Sequence, residues 1–385
     1  MPVRFANNED TNVVKEIWQK CFKDEEPFLS WNFERNYKSE DTIVFEQDGN
    51  IVSTLQMASC DISLWGERVS ANYISGVATL SEFRNRGIAG MLTRRAFEVG
   101  IERGQAVSLL VPFNYNFYEK FGYKMCYKTV KATIKKENAP KLATGHKLKL
   151  CQINDETIAI LQGIYKEFCK NLNGYVIRTD ENFRLILEDV IDIFSGSLIV
   201  NKSETGDYNA YAICHFENGK LSIYEMAYTD YNGYKAIMSG IWDMFNECVE
   251  AEINCPLSRC GELLTTGGYN DGSKIFPFAM ARVLYVEKIL NVLHRCGNIH
   301  EGASIGISDS IISINNGVFE NVGGKFQKSD KKDADIFMDV SVFAELAFGK
   351  NCLEELKFFG KVSGEIDKFS TFFQKSENYV NMLFS

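Results

Sequence analysis

The first hundred residues alternate between two hydrophobic periods. Val3–Phe5 is a short apolar run, and the polar stretch after it ends in Asp10-Thr11, a cap for a helix with Val13, Val14, Ile17, Trp18 and Cys21 on one face. Pro27 opens a second short helix. Two-residue alternation then runs through residues 42–46 and 51–63, which flank Asp48-Gly49-Asn50, a strong hairpin signal. Trp65-Gly66-Glu67 turns the chain again, into a strand over residues 68–79. The order so far is β-α-α-β-β-β. A 3.6-residue period in Ile88, Met91, Leu92, Ala96 and Val99 predicts a helix that stops at Gly104. A buried strand at 106–111, a short helix around 116–121 and an alternating strand over 124–134 complete an α/β domain expected to occupy residues 1–136.

Residues 135–145 read as a linker, and beyond it the same order recurs. A strand at 147–153 leads to helices at 156–172 and 181–190. Strands at 197–201, 208–216 and 220–227 and a helix at 234–248 follow. A second domain of the first one's kind is therefore expected over residues 146–279. From residue 280 the pattern predicts a helix at 283–292, short strands at 305–308, 310–315 and 317–322, a segment at 340–348 and a C-terminal helix. These make a small α+β unit over residues 280–385. The fold class is α/β (α+β), mixed sheets flanked by helices, and 385 residues suit two or three domains.

Composition narrows the function. With 45% hydrophobic and 24% charged residues the chain has ample material for cores. A formal charge of −9 argues against a nucleic-acid surface, which needs a basic footprint. It suits a cationic substrate, though acidity also serves solubility alone. The eleven cysteines are scattered with no C-x-x-C pair; Cys255 and Cys260 lack a second ligand pair, and His146, His215, His294 and His300 form no ligand spacing. No metal is expected. No signal-peptide core or bilayer-length apolar run is present, so the expected location is cytoplasmic, with no membrane partner.

One segment carries candidate chemistry. Arg84-Asn85-Arg86-Gly87-Ile88-Ala89-Gly90 lies between a strand and a helix, where free amides converge on a phosphate; its glycines allow close approach and its arginines add charge. Just before it, the strand end Gly76-Val77-Ala78-Thr79 offers main-chain groups where parallel strands splay, a place for an amide chain and a polarised carbonyl. Just after it, Asn114-Tyr115-Asn116-Phe117-Tyr118 puts a phenol on a short helix, able to protonate a leaving thiolate. Asp24-Glu25-Glu26, in the loop between the first two helices, is a candidate for holding a cationic substrate. A solvated helix start, a core tyrosine and a solvated acidic loop are the ordinary alternatives for these features.

Residues 77–123, with Phe121-Gly122-Tyr123 following Tyr118, resemble motifs A and B of the GNAT N-acetyltransferases. The whole layout resembles the Eis (enhanced intracellular survival) type, in which a GNAT domain is followed by a GNAT-like domain without cofactor, here containing Gly174-Tyr175-Val176-Ile177-Arg178, and a sterol-carrier-protein-like domain. The resemblance implies acetyl-CoA as co-substrate, held by Val77, Ala78, Thr79, by Arg84, Asn85, Arg86, Gly87, Ile88, Ala89 and Gly90, and by Asn116. It implies Tyr118 as general acid. It also implies that the terminal carboxylate, here on Ser385, is the base, although this chain ends in serine where the family usually ends in an aromatic residue. Acceptors of that type are amines of aminoglycoside- or polyamine-like molecules or lysine side chains, and the proteins are homo-oligomers such as hexamers. Two rivals are an acyl-CoA or lipid carrier without turnover, and a tandem-GNAT peptidyltransferase using aminoacyl-tRNA. The latter would want a basic groove.

Overall fold

The computed structural model describes residues 2–139, 147–259 and 272–381. They form two compact units. One contains the chain up to Tyr127, residues Asn173–Ile177 and Phe278–Asn378; the other contains Lys128–Leu172, Arg178–Pro277 and the chain from Tyr379 on.

In the first unit the expected order is observed: β1 (Val3–Phe5), α1 (Thr11–Phe22), α2 (Phe28–Trp31) running into a π-helical turn at Asn32–Asn36, β2 (Thr42–Gln47), β3 (Asn50–Leu64) and β4 (Glu67–Thr79). Then come α3 (Ile88–Glu102), β5 (Val107–Leu110), α4 (Tyr115–Glu119) and β6 (Lys124–Met125). The hairpin turns work as read. Asp48 and Gly49 have φ of 53° and 77°, and Trp65 and Gly66 have 54° and 80°, the paired left-handed geometry of tight β-hairpins. Alternation sorts β2 onto two faces. Val44 packs with Val14, Ile17 and Trp18 of α1, whereas Ile43 and Phe45 pack with Leu92, Ala96 and Phe97 of α3. Full burial of side chains such as Leu92 and Phe97 contributes roughly 1.5–3 kcal/mol each and fixes where α3 begins.

The sheet runs β1-β2-β3-β4-β5, then Met280–Val283, then β6. Only β4 and β5 are parallel. Here the structure departs from expectation. The strand read as unbroken over 124–134 is two strands: β6 stays in this sheet, and Lys128–Lys135 joins the sheet of the second unit. Between them, Cys126 and Tyr127 are buried and both donate their amides to the Ala279 carbonyl, at 3.3 and 3.1 Å. The place beside β5 is taken by Met280–Val283, so the helix read from residue 283 starts instead at Val286 and ends at Cys296.

In the second unit the order is Leu148–Cys151, Ser197–Lys202, Tyr208–Glu217, Lys220–Tyr228, Glu250–Cys255, Lys128–Lys135 and Lys274–Pro277, again with a single parallel pair, the fourth with the fifth. Strand order and sense repeat those of the first sheet. The strands at 250–255 and 274–277 were not read from the sequence.

The remainder of the first unit is a five-stranded sheet in the order Lys325–Ser329, Gly317–Val322, Ser304–Ser308, Ile336–Asp339, Val362–Gly364, with helices Val286–Cys296, Val340–Ala347 and Leu353–Phe358. Residues 310–315, read as a strand, end in a 3-10 turn at Ser313–Asn315. The Asp309 carboxylate explains this, accepting the amides of Ile311 and Ile312 at 3.0 Å while held by Arg282 at 2.7 and 2.8 Å.

Candidate active site

The site starts from an irregularity in β4. Thr54 faces Ala78 and Gln56 faces Ser75, so Gly76 and Val77 together oppose Leu55, which makes a β-bulge. Glycine is required there: its φ is +57°, and an added Cβ would lie 2.5 Å from the Trp18 ring. On its other side β4 pairs with β5 only as far as Tyr73 opposite Leu109. The strands then splay, and residues 74–79 present an edge without a ladder, as the sequence suggested. The Thr79 carbonyl is turned off the sheet, accepting from Arg84 Nε at 3.0 Å and Cys21 Sγ at 3.5 Å.

At the end of that edge the chain makes a 3-10 turn at Ser81–Phe83 and enters α3 through Asn85 and Gly87, both left-handed at φ 62° and 78°. Gly87 is the N-cap, and no side chain caps the helix. The first helical bond is Met91 N–H to Gly87 O at 3.1 Å. The amides of Ile88, Ala89 and Gly90 have no acceptor among the described residues, so three donors and the positive helix end face one spot. Arg84 donates to the Thr79 carbonyl and to Cys21 Sγ at 3.8 Å, and Arg86 to Glu82 O at 2.8 Å; neither forms a salt bridge with a carboxylate among the described residues.

Splayed edge and helix start open into one cleft of about 980 Å³. Val77, Ala78, Thr79, Arg84, Asn85, Gly87, Ile88, Ala89 and Gly90 all line it; Arg86 and Asn116 do not. Beyond the expected residues, Cys21, Phe22, Phe83, Met91, Arg94, Phe113, Phe117, Lys120 and Phe121 line it too. Arg94 and Lys120 carried no motif and were not singled out from the sequence.

Tyr118 sits just behind this lining. It is 3% exposed and packs edge-on against Phe117 and Phe113, with centroids 4.9 and 5.8 Å away. Its helix is capped by Asn114, whose Oδ1 accepts the Phe117 amide at 3.2 Å. Burial, with the neighbouring Tyr73 adding to it, holds the phenol well above its ordinary pKa, so it is neutral at any working pH. A buried hydrogen-bond chain that the sequence did not reveal braces the ring next to it: Tyr123 Oη to Ser108 Oγ at 2.6 Å, Ser108 Oγ to Asn72 Oδ1 at 2.5 Å, and Asn72 Nδ2 to Gln105 Oε1 at 2.8 Å. The only signal for it was polar residues inside apolar strands.

The acidic loop is engaged locally. Asp24 accepts the Trp18 indole N–H at 2.8 Å, Glu26 accepts the Ser30 amide at 2.9 Å, Glu25 is exposed, and none of the three lines the cleft. Ser385 lies outside the described residues. The chain leading towards it is tied down. Asn378 accepts from Asn173 Nδ2 at 2.9 Å and donates to the Cys126 and Phe348 carbonyls at 3.0 and 2.6 Å in the first unit. In the second unit Asn381 donates to the Tyr224 carbonyl at 2.5 Å.

A family model described as an acetyltransferase (GNAT) domain matches residues 2–126, the bulged strand, splay and uncapped helix just described. The chain carries a GNAT acetyltransferase domain. A second family model, described as a sterol carrier protein domain, matches residues 287–381. No curated protein sequence matches the chain. Among solved structures, a conserved protein of unknown function and probable N-acyltransferase from Enterococcus faecalis V583 shares the fold at a TM-score of 0.86 and 20% identity, over 99% of this chain and 98% of that one. A GCN5-related N-acetyltransferase from Anabaena variabilis gives 0.82 and 16%, over 98% of both chains. Eis1 from Mycobacterium abscessus gives 0.77 and 16%, over 99% of this chain and 100% of that one. The chain thus shares its whole-chain fold with these proteins. Among its described residues there is no helix long and apolar enough to cross a membrane and no metal-holding group of three or more His, Cys, Asp or Glu side chains.

Proposed function

We propose that the chain transfers the acetyl group of acetyl-CoA directly to a primary amine, on a cationic aminoglycoside- or polyamine-like molecule or on a lysine side chain. The observation that carries this reading is the set of three unpartnered amides at Ile88, Ala89 and Gly90, opening into the same cleft as the unladdered edge of β4. Those donors fit a diphosphate, and an edge of free peptide groups fits the amide-bearing arm attached to it. Acetyl-CoA supplies the thioester. The chain's part is to hold the diphosphate, align the arm along residues 77–79 and move two protons. As the amine nitrogen bonds to the acetyl carbon and the carbon–sulfur bond breaks, the neutral Tyr118 phenol gives its proton to the departing thiolate. The Ser385 carboxylate takes the proton that the amine loses.

The second unit fits a GNAT-like copy that holds no CoA. Its helix Tyr231–Met244 also follows the fourth strand of its sheet, yet it starts at Asp230, whose side chain accepts the Gly233 amide at 2.7 Å. A carboxylate there fills an amide and repels a phosphate. Asp24, Glu25 and Glu26 are proposed to attract the cationic acceptor from outside the cleft.

The test is thiol release from acetyl-CoA with a panel of a polyamine, an aminoglycoside and a lysine peptide. Amine-dependent release is expected; binding of acyl-CoA without release for any amine supports the carrier instead. Deleting Met382–Ser385 is expected to leave acetyl-CoA affinity within about twofold and to lower turnover on the order of 100-fold, the scale of losing a general base. Full turnover in the truncated protein removes Ser385 from the reaction.

A further inference from the structure

The cleft extends past the helix start along one face of α3. Gly90 faces Phe121, since a Cβ there would sit 3.0 Å from the Phe121 Cζ. One turn on, about 6 Å along the axis, Arg94 falls on the same face, and its guanidinium lies over the same ring, 5.8 Å from the centroid. Lys120 comes from the other side, its Nζ 5.4 Å from the Phe121 centroid and 4.3 Å from that of Phe117. Both cations line the cleft, both are exposed, and neither has a carboxylate partner among the described residues. Their neighbours differ: Arg95 is held by Glu98 and Glu102, Lys124 by Glu119, and Arg103 by Asp41. The aromatic faces gather two positive heads without neutralising them.

We infer that Arg94 and Lys120 form the binding site for a phosphomonoester dianion, the 3′-phosphate on the ribose of the CoA donor. This rests on reading the cleft as a CoA site. With the diphosphate on the amides of Ile88 to Gly90, the 3′-phosphate is the one other anionic group of the donor, and it lies one ribose further from the thioester. The nearest uncompensated charge on α3 beyond those amides is Arg94, and Lys120 faces the same ring from α4's end. The pair therefore distinguishes CoA thioesters from donors that lack the 3′-phosphate, without touching the reacting carbonyl.

Calorimetric titration of the intact chain with CoA and with 3′-dephospho-CoA tests this. The wild type is expected to bind dephospho-CoA roughly tenfold more weakly, the scale of two exposed ion pairs to a dianion. That ratio shrinks as salt rises. In Arg94→Ala/Lys120→Ala the ratio falls to within about twofold, because CoA weakens to the level of dephospho-CoA, while thermal melting is unchanged. A wild-type ratio near one, or a double variant that keeps the wild-type ratio, overturns the assignment and leaves the CoA cleft standing. Failure of the wild type to bind either ligand overturns the cleft reading itself.

Discussion

Tyr118→Phe is expected to lower amine-dependent turnover by at least about 100-fold while acetyl-CoA binds almost as before. The ring keeps its packing against Phe113, Phe117 and Tyr123, so the substitution removes one hydroxyl from a position 3% exposed. On the proposed role of Tyr118, what is lost is the proton for the departing sulfur, a contribution in the general-acid range of about 10²–10⁴. The pH dependence has a definite sign. Burial holds the Tyr118 phenol above its usual value, and Tyr73 beside it is pushed up to about 12, so the acid form persists through pH 9 and the rate shows no fall from its ionisation there. Steady-state kinetics against acetyl-CoA separates the effects: kcat drops with KM near constant. Turnover within threefold of wild type would remove Tyr118 from the chemistry.

The largest expected effect on stability lies in the second unit. Arg178 and Glu225 form a buried two-bond ion pair at 2.6 and 2.8 Å; Tyr211 Oη donates to Glu225 at 2.7 Å, and the Arg178 guanidinium lies 4.3 Å from the centroid of Tyr165. Arg178→Met leaves the Glu225 carboxylate buried without its cation, a cost of about 3–5 kcal/mol. Melting of that unit should fall on the order of 10 °C. In the wild type, burial alone would raise the Glu225 carboxyl, but the charge and hydrogen bonds of Arg178 and the bond from Tyr211 outweigh it and hold it below its ordinary value. Its contribution is therefore present above the unfolded value and lost as pH falls through the folded one. In the variant burial dominates and the carboxyl rises, so the melting deficit should narrow from pH 8 to pH 5 as Glu225 takes up a proton. A melting point equal to wild type at pH 8 would contradict this. Tyr379 also donates to Glu225, at 3.4 Å, so the variant loosens the chain that leads to the C-terminus.

Local features of the sequence carried most of the first domain. Asp48-Gly49 and Trp65-Gly66 set turns whose backbone admits few other residues, and the stripe from Ile88 to Val99 sets α3 through burial against β2 and β3. The backbone of the loop from Arg84 to Gly90 was legible because a strand before it and its glycines set an uncapped helix start. What escaped depends on partners far apart in the chain. Nothing local in residues 124–135 says that two of them pair beside Met280–Val283 and eight join another sheet, because both sets alternate with the same period. Arg282 and Asp309, which carry no local signal for each other, meet in the interior, where the burial of Arg282 beside Gly122 leaves no room for a Cβ at that glycine. The cations Arg94 and Lys120 became visible only when Phe121 brought them to one ring.

A crystal structure of the chain with CoA would locate the diphosphate outright. Diphosphate oxygens are expected at roughly 2.7–3.2 Å from the amide nitrogens of Ile88, Ala89 and Gly90, with the sulfur-bearing arm running along residues 77–79 towards Tyr118. CoA bound with its diphosphate away from the start of α3 would contradict that placement.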